Sequence, residues 1–366
     1  MTFRKVPPGP RRLSGWLPLI AVALLAACSG PFPQSTLIPK GDFATMVDEV
    51  FMTTVKWAVV VFILVEGALL FAIWKFRGRP GDQEPEQTHG NAIVEVVWTI
   101  IPAAILAFIA VPTVRTIFRT AEIPAGAMEV EVIGHQWWWE FRYPAQQIVT
   151  ANELVVPAGK PVVVKIRTAD VLHSYWVPQF AAKRDAFPLK YTTFYFTTDS
   201  LGAFTGQCAE FCGVQHGRMG SLVIVKSQDE FAQWVATQQV GSPMINAGKV
   251  EVDTTTPADP AAAQAKSERD SVMARGQRAF MAGGCIGCHA MAGTPTAGLT
   301  GLQGPNLSHV GSRHRLAAGI LENTPENLAR WLREPQVVKE GSLMKLPRPL
   351  TEDEITALVA YLRAHQ

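Results

Sequence analysis

The fold is decided by residues 207–219, which read QCAEFCGVQHGRM and have the spacing C-x3-C-x3-H-x2-M. The sulfur and imidazole side chains are Cys208, Cys212, His216 and Met219, and a further histidine, His173, lies upstream in the segment VLHS. Soft thiolates, imidazoles and a thioether together suit copper. A mononuclear blue-copper centre needs one cysteine, two histidines and a weak methionine. The second cysteine therefore gives the segment enough sulfur to bridge two copper ions.

Three alternatives to copper would each use only some of these side chains. A disulfide between Cys208 and Cys212 would suit an oxidising compartment, but it leaves His216 and Met219 without a role. Structural zinc generally prefers C-x2-C pairs and does not use methionine. Burial in a core is the commonest fate of a methionine, yet it does not account for the combined spacing. The pattern therefore favours copper.

The sequence around this loop, residues 120–240, changes to the two-residue period that is typical of strands. Residues 128–132 (MEVEV), 162–167 (VVVKIR) and 221–225 (SLVIV) alternate or are continuously apolar and β-branched. Pro124, Pro144 and the PAG of residues 157–159 lie between them. We predict a β-sandwich over residues 120–240, closed by a short amphipathic helix at residues 230–239.

Two apolar stretches before the sandwich, residues 57–74 and 93–111, are each long enough to cross about 30 Å of hydrocarbon. The connection between them contains the positive cluster KFRGR at residues 75–79. The positive-inside rule places this connection in the cytoplasm and everything after residue 112 outside. We therefore predict a transmembrane helical hairpin at residues 45–115.

Two carboxylates lie within these stretches, and intramembrane carboxylates are costly and usually functional. They are Glu66 and Glu95. Glu95 also fits a second role, as an acid near the headgroups at the start of a helix, where the helix dipole favours it. Both roles stay open on the sequence alone.

The N-terminal residues 1–28 have the pattern of an export signal, because basic residues precede an apolar run at residues 13–27. The run ends in LAAC, which resembles a bacterial lipoprotein cleavage box. In that case Cys28 becomes the acylated mature N-terminus and binds membrane lipid. The alternative is an uncleaved anchor in which Cys28 is an idle thiol.

Three segments together resemble subunit II of cytochrome c oxidase, whose external domain is a dinuclear CuA cupredoxin. They are GHQWWW at residues 134–139, DVLHS at residues 170–174 and the loop at residues 208–219. The hairpin agrees with this family, including EVVWTIIP at residues 95–102. The resemblance covers about residues 45–240. It implies a two-helix membrane hairpin followed by an all-β, Greek-key cupredoxin sandwich.

The resemblance also implies a role for each matching residue. Cys208 and Cys212 would bridge the two coppers, His173 and His216 would cap one copper each, Met219 would be a weak ligand, and Glu210 would bind through its backbone carbonyl. The Glu210 carboxylate matches a magnesium ligand at the border with subunit I. Trp137 matches the aromatic through which electrons enter from a docked cytochrome c, and Glu95 matches the acid at the mouth of a proton channel in subunit I. One departure is that Leu189 follows Pro188 where the family usually has glycine.

The C-terminal part carries a second cofactor motif. Residues 241–271 are rich in Pro, Ala, Thr and Gln, which indicates a linker. Residues 285–289 read CIGCH, a c-type haem attachment motif in which Cys285 and Cys288 form thioethers and His289 is the proximal iron ligand. A preceding helix at residues 270–281, GPNL at residues 304–307 and a final helix at residues 352–363 resemble a small all-α class I cytochrome c over residues 272–366.

A cytochrome of this class needs a distal ligand, usually methionine, which raises the reduction potential. Met344 lies 55 residues after His289, just before the final helix, where the family places its ligand. Met281 and Met291 lie too close to the motif to reach the opposite haem face easily. His309 and His314 are the rival ligands.

Composition limits the function classes. The chain has 366 residues, 33 basic and 31 acidic, and its formal net charge of +2 excludes a strongly basic nucleic-acid binder. Its five cysteines divide into one candidate lipid anchor and two cofactor pairs. Neither predicted span contains histidine, so the chain alone cannot build an oxygen-reducing haem–copper centre.

The resemblance therefore implies subunit II of a terminal cytochrome c oxidase. Electrons would pass from a c-type cytochrome or another donor to haem c, then to CuA, then to subunit I, where oxygen becomes water and protons are pumped. Subunit III would be a further partner. The complex would lie in the bacterial inner membrane, with the copper and haem domains on the periplasmic side. The alternatives are the input subunit of a CuA-containing nitric oxide reductase and a free-standing membrane-anchored electron-transfer protein.

Overall fold

The computed structural model describes Val22 and residues 32–78, 81, 89–239, 260–297 and 299–366. The predicted lipid anchor Cys28 and residues 241–259 of the predicted linker lie outside the described residues. The chain divides into two compact units, Met1–Pro33 and Gln34–Gln366. The membrane hairpin, the sandwich and the C-terminal domain all belong to the second unit.

Two long helices, α1 (Asp42–Lys75) and α2 (Ala92–Ala121), form an antiparallel hairpin. Their most apolar windows have mean hydropathies of 2.4 and 2.3 and bury none of their residues within the chain. Both helices are therefore long and apolar enough to cross a membrane. The rings of Trp57 and Phe108 meet edge to face across the hairpin at 5.8 Å.

The two helices extend beyond the predicted apolar stretches because their outer ends attach to the sandwich. Asp42 accepts hydrogen bonds from the backbone N–H groups of Phe43 and Thr197, each at 2.7 Å. Phe43 is buried against Phe194 and Tyr195. At the end of α2, the hydroxyl of Tyr195 donates to the carbonyl of Arg119 at 3.1 Å. Polar and aromatic contacts thus continue both helices past the hydrocarbon-length segment.

The middle of the chain is a sandwich of two five-stranded sheets, ordered β3-β2-β1-β5-β8 and β4-β10-β9-β6-β7. Most strand pairs are antiparallel, but β1 pairs with β5 and β4 with β10 in parallel. The strands are β1 (Met128–His135), β2 (Trp138–Tyr143), β3 (Ile148–Ala151), β4 (Glu153–Pro157), β5 (Val162–Thr168), β6 (His173–Trp176), β7 (Arg184–Ala186), β8 (Thr192–Phe196), β9 (Gly202–Cys208) and β10 (Gly220–Lys226).

The predicted alternation explains how these strands pack. On β1, Met128, Val130 and Val132 are buried, whereas Glu129 on the other face pairs with Lys165 of β5 at 2.6 Å. The three predicted strand segments are β1, β5 and β10, and the predicted closing helix is α3 (Gln228–Gln239). The β-sandwich prediction is confirmed.

The C-terminal domain is helical. Its helices are α4 (Pro260–Ala282), α5 (Pro325–Arg333), α6 (Pro335–Val338) and α7 (Glu352–Ala364), with a short hairpin of β11 (Arg315–Leu316) and β12 (Leu321–Glu322). Helices α4 and α7 approach closely at Gly276, where an added Cβ would clash with the side chain of Tyr361. Thr351 and Glu354 form a capping box that starts α7. Because α4 begins at Pro260, the last part of the predicted linker is helical.

Tyr143 at the end of β2 joins the two sheets. Its buried hydroxyl accepts from the backbone N–H of Val155 at 2.8 Å and donates to the carbonyl of the same residue at 2.9 Å. Both bonds cross to β4 in the opposite sheet. The side chain therefore satisfies two backbone groups that are otherwise buried without partners.

We expect Tyr143→Phe to lower the free energy of unfolding of the sandwich by about 1–3 kcal/mol, because two buried backbone groups lose their partner. Denaturant unfolding of the full chain, followed by tryptophan fluorescence, measures the change. Tyr191→Phe is the control, since Tyr191 is exposed and its hydroxyl accepts a hydrogen bond from Arg167 at the surface. It should cost less than about 0.5 kcal/mol. Equal losses in the two variants would contradict the role of Tyr143.

Candidate metal centre and haem cleft

The predicted copper ligands converge at one end of the sandwich. The Sγ atoms of Cys208 and Cys212 lie 3.8 Å apart. His173 Nδ1 lies 3.8 Å from the Cys208 sulfur, and His216 Nδ1 lies 3.7 Å from the Cys212 sulfur. Met219 Sδ lies 3.9 Å from the Cys212 sulfur. Two thiols, two imidazoles and a thioether thus form a continuous cluster.

Neighbouring strands and one tight loop position these side chains. Cys208 ends β9 and His173 begins β6, and the two strands are paired antiparallel. The backbone N–H of Cys208 donates to the carbonyl of Met219 at 3.0 Å, which closes the loop. Gly134 on β1 makes room for the His173 ring, because an added Cβ would lie 2.7 Å from its Cδ2.

Asp170 orients His173 toward the sulfur atoms. Its carboxylate lies 2.9 Å from His173 Nε2, and its other oxygen accepts from the backbone N–H of Gln136 at 2.7 Å. Burial opposes charge on both side chains, but their mutual hydrogen bond lowers the pKa of Asp170 and, with that from Cys208, raises the pKa of His173. A carboxylate that hydrogen-bonds the ring nitrogen turned away from the metal fixes the orientation of a metal-binding imidazole.

The two thiols hydrogen-bond each other. Their mutual hydrogen bond, against the effect of burial, and the neighbouring His173 lower the pKa of Cys208. The same bond and burial raise the pKa of Cys212 above its ordinary value. Both cysteines are free, and 3.8 Å is far beyond a disulfide bond length of about 2.05 Å. The disulfide alternative is therefore wrong, and the buried thiol pair fits a metal that binds thiolates.

Glu210 contributes its backbone to this cluster and its side chain to the surface. Its carbonyl oxygen lies 3.3 Å from the Cys208 sulfur. Its half-exposed carboxylate lies 4.0 Å from the Nζ atom of Lys183. The two groups of Glu210 thus occupy separate surroundings, as the two predicted roles require.

A cleft of about 1200 Å³, counting the space open to solvent, lies beside the copper cluster and is walled by both domains. The residues predicted to hold haem line it: Cys285, Cys288, His289 and Met344. Gln136, Trp137 and Trp138 of the sandwich line it too. The two cysteines are free, and the cleft carries the thiols, imidazole and thioether that a c-type haem needs.

The backbone holds the ring of His289. Its Nδ1 lies 2.8 Å from the carbonyl of Pro305, so Nδ1 carries the proton and Nε2 stays free to bind iron. An added Cβ on Gly304 would clash with the ring, so only glycine fits there. Burial lowers the pKa of His289, which favours the neutral imidazole that binds metals.

The rival distal ligands lie elsewhere. The ring nitrogens of His309 are 2.9 Å from the carbonyl of Gln366 and 3.1 Å from that of Gln238. His314 contacts Glu153 of the sandwich. Met281 and Met291 do not line the cleft. Among the described residues, Met344 is the lining methionine.

Trp137 connects the cleft to the cluster. Its indole lines the cleft, and its Nε1 donates to the carbonyl of Cys212 at 2.9 Å. Its side chain is covered, with 8% of its surface exposed. The residue predicted to receive electrons from outside therefore lies at the border of the two domains.

The two carboxylates of the hairpin have different surroundings. Glu95 lies exposed in the first turn of α2, over Gly90, where the helix dipole favours an acid. This placement fits both a headgroup acid and a proton-channel acid. Glu66 is half-buried in the middle of α1.

Side chains that the sequence did not single out join the two domains. The buried carboxylate of Glu153 accepts from the backbone N–H groups of His314 at 2.7 Å and Arg315 at 2.9 Å, and lies 3.0 Å from His314 Nδ1. Trp138 Nε1 donates to the carbonyl of Gln303 at 3.2 Å. The sequence around Glu153 does not predict these hydrogen bonds, because its partners lie about 160 residues away along the chain.

Comparison with known proteins gives three family matches. Residues 41–116 match the family model described as cytochrome c oxidase subunit II, transmembrane domain. Residues 145–227 match the one described as cytochrome c oxidase subunit II, periplasmic domain. Residues 273–366 match the model described as cytochrome c.

Individual relatives match along nearly the whole chain. Cytochrome c oxidase subunit 2 of Alkalihalophilus pseudofirmus is 34% identical over 359 residues, which is 96% of each chain. The subunit 2 of Bacillus sp. strain PS3 is 35% identical over 356 residues, or 93% of each chain. A solved periplasmic domain of subunit II of cytochrome oxidase from Bradyrhizobium japonicum is 31% identical, with a TM-score of 0.32, and covers 32% of this chain and 98% of that domain.

His314 should make domain docking depend on pH. Its hydrogen bond to Glu153 raises its pKa, against burial and the charges of Lys226 and Arg315. A raised folded-state pKa gives stabilisation that is complete below the unfolded value of about 6.5 and is lost as pH rises through the folded value. We therefore expect His314→Gln to lower the melting temperature at pH 5.5 by about 1–3 °C, and by less at pH 8.5.

Calorimetry of the full chain in detergent measures this difference. His89→Gln, at an exposed position before α2, is the control and should change neither value. A His314→Gln effect of the same size at both pH values would show that the ring acts by packing alone.

Proposed function

Because this chain belongs to the cytochrome c oxidase subunit II family, it is a membrane-anchored subunit of a terminal oxidase, and we propose that it passes electrons from a c-type cytochrome donor through haem c and dinuclear CuA to subunit I. Oxygen is reduced to water in subunit I, with proton pumping. One observation carries the proposal: Trp137 lines the CxxCH cleft and hydrogen-bonds the carbonyl of the copper-loop residue Cys212.

The cluster fits two copper ions. Cys208 and Cys212 would bridge them, His173 and His216 would cap one each, and Met219 and the Glu210 carbonyl would be weak ligands. Bound copper supplies a one-electron relay held by soft ligands. The chain prepares the site, because Asp170 fixes the His173 ring and the two thiols already lie beside each other. Because copper binds thiolates, copper binding would release protons from the thiols.

The cleft fits a covalent haem c. Cys285 and Cys288 would form the thioethers, and His289 and Met344 would be the axial ligands. Histidine–methionine ligation gives a haem of raised potential. The chain orients the imidazole through the carbonyl of Pro305 and keeps it neutral by burial.

The burial of Trp137 bears on where the external electron donor docks. With 8% of its surface exposed, Trp137 offers little area to a soluble protein, whereas Leu343 and Lys345 at the cleft are exposed. We infer that the external donor docks on the cytochrome domain. Electrons would then reach Trp137 within the chain.

The remaining predicted residues face subunit I in this proposal. The half-exposed carboxylate of Glu210 would complete a magnesium site at that border, and Glu95 would lie at the mouth of a proton channel. Subunit III would complete the assembly. The positive connection at residues 75–79 supports a cytoplasmic loop, and therefore periplasmic copper and haem domains in a bacterial inner membrane.

The oxidase is favoured over a CuA-containing nitric oxide reductase. The relatives that match along nearly the whole chain are named cytochrome c oxidase subunit 2. Glu95 also has a role in proton delivery from the cytoplasmic side only where protons are taken up there. A free-standing electron carrier would leave both Glu95 and the Glu210 carboxylate without a role.

We expect the purified chain to bind two copper ions and to show a seven-line mixed-valence EPR signal, because both sulfurs bridge the pair. Cys212→Ser should abolish the seven-line pattern, since one bridge is lost. Thr205→Ser, on the same strand as Cys208 but outside the cluster, is the control and should keep it. A single-copper signal in the unsubstituted chain would contradict the dinuclear assignment.

We expect Met344→Ala to remove the sulfur-to-iron absorption band and to lower the haem reduction potential, because methionine ligation raises it. Visible spectroscopy and a redox titration of the intact protein measure both. Met281→Ala, at an exposed position on α4, is the matched control. An unchanged spectrum in Met344→Ala would move the distal ligand to another side chain.

A further inference from the structure

We propose that Lys339 is a positioning residue whose buried amine fixes the cytochrome domain against the copper loop, so that the haem cleft and the copper cluster keep one relative placement. Lys339 follows α6 in the cytochrome domain. The consequence for electron transfer rests on the proposed function. The docking itself depends only on contacts within the chain.

Three backbone carbonyls surround the amine of Lys339. Its Nζ lies 2.9 Å from the carbonyl oxygens of both Trp137 and Arg218, and 3.2 Å from that of Ala317. A protonated lysine amine has three N–H donors and no acceptor. Each donor therefore has one carbonyl, two of them from the sandwich and one from the cytochrome domain.

The surroundings make this contact unusual for a lysine. Lys339 is 4% exposed, and burial lowers its pKa to about 7. Lysine is almost never fully buried unless it is paired. Among the described residues, no carboxylate forms an ion pair with it, so carbonyl dipoles alone satisfy the amine. Removing or displacing these carbonyls would leave the buried, protonated amine without hydrogen-bond partners, which costs free energy.

The three carbonyls belong to residues beside the copper loop or in the wall of the haem cleft. Trp137 hydrogen-bonds the carbonyl of Cys212, and Arg218 immediately precedes Met219. Ala317 lies in the turn between β11 and β12, whose Ala318 carbonyl accepts from the backbone N–H of Gly220 at 3.0 Å. The amine thus joins the copper loop, the cleft wall and the cytochrome turn at one point.

Neighbouring bonds from the same segment agree with this role. Arg218 donates to the carbonyl of Val338 at 3.2 Å, and Gln215 donates to the carbonyl of Glu340. Three successive residues therefore contact the copper loop: Val338 through its carbonyl, Lys339 through its amine and Glu340 through its carbonyl. Val338 and Glu340 make these contacts through their backbone, so Lys339 is the residue of this segment whose contacts a substitution removes.

The test is Lys339→Met in the full chain, which keeps a long apolar stem and removes all three donors. Hydrogen–deuterium exchange should become faster, by about tenfold or more, at the amides of Gly220 and His314, because their interdomain bonds open more often. Visible and EPR spectra should keep their wild-type form. Electron transfer from haem to copper after flash reduction should slow by about ten- to a hundredfold, since rates are sensitive to small misplacements.

Two further variants serve as a surface control and as an intermediate case. Lys160→Met, at an exposed lysine in the turn between β4 and β5, should match the wild type in exchange and in rate. Lys339→Gln keeps two donors and should fall between the wild type and Lys339→Met in both readouts. Wild-type exchange and rate in Lys339→Met would overturn the proposal. Faster exchange throughout α4 and α7, with lost haem spectra, would also overturn it in favour of a general role in folding.

Exchange and electron transfer separate this proposal from the proposed function. If the wild type showed no transfer from haem to copper while Lys339→Met still loosened Gly220 and His314, the positioning role would stand and the electron path would fail. If transfer occurred at the wild-type rate in Lys339→Met, the electron path would stand and the positioning role would fail.

Discussion

The hydrogen bond from the Trp137 indole to the Cys212 carbonyl is the contact on which the rest of the molecule depends. It ties a side chain of the haem cleft to the backbone of the copper loop. Buried backbone carbonyls need partners, and this one has a donor that also forms a wall of the neighbouring cleft. The sandwich and the cytochrome domain therefore share one structural element at the place where their centres approach.

Sequence patterns predict best those parts of the molecule whose structure depends on the type and spacing of side chains. The two-residue alternation of residues 128–132 is β1, and the sulfur and imidazole spacing at residues 207–219 is one compact cluster. Helix ends are predicted less accurately. α1 begins at Asp42 and α2 continues to Ala121 because Asp42 and Tyr195 make polar contacts that hydropathy does not record.

The join between the domains could not be predicted from the sequence for a physical reason. Most of its acceptors are backbone carbonyls, such as those of Gln303, Ala317 and Ala318, and a carbonyl is the same in every residue. Its donors, Lys339 and the amides around His314, resemble ordinary surface chemistry until the fold brings them together. Within the sandwich, by contrast, Asp170 follows from local spacing, since a carboxylate three residues before His173 is placed to reach its ring.

In the proposed electron path, the covering of Trp137 moves recognition of the electron donor from the sandwich to the cytochrome domain. A cupredoxin that received electrons at its own surface would have to keep charges there that suit a mobile donor. In this chain that face is occupied by its own cytochrome domain, at a high effective concentration set by covalent attachment. If electrons follow that path, the sandwich surface does not have to recognise the donor, and donor preference would change by substitution in the cytochrome domain while the copper loop stays constant.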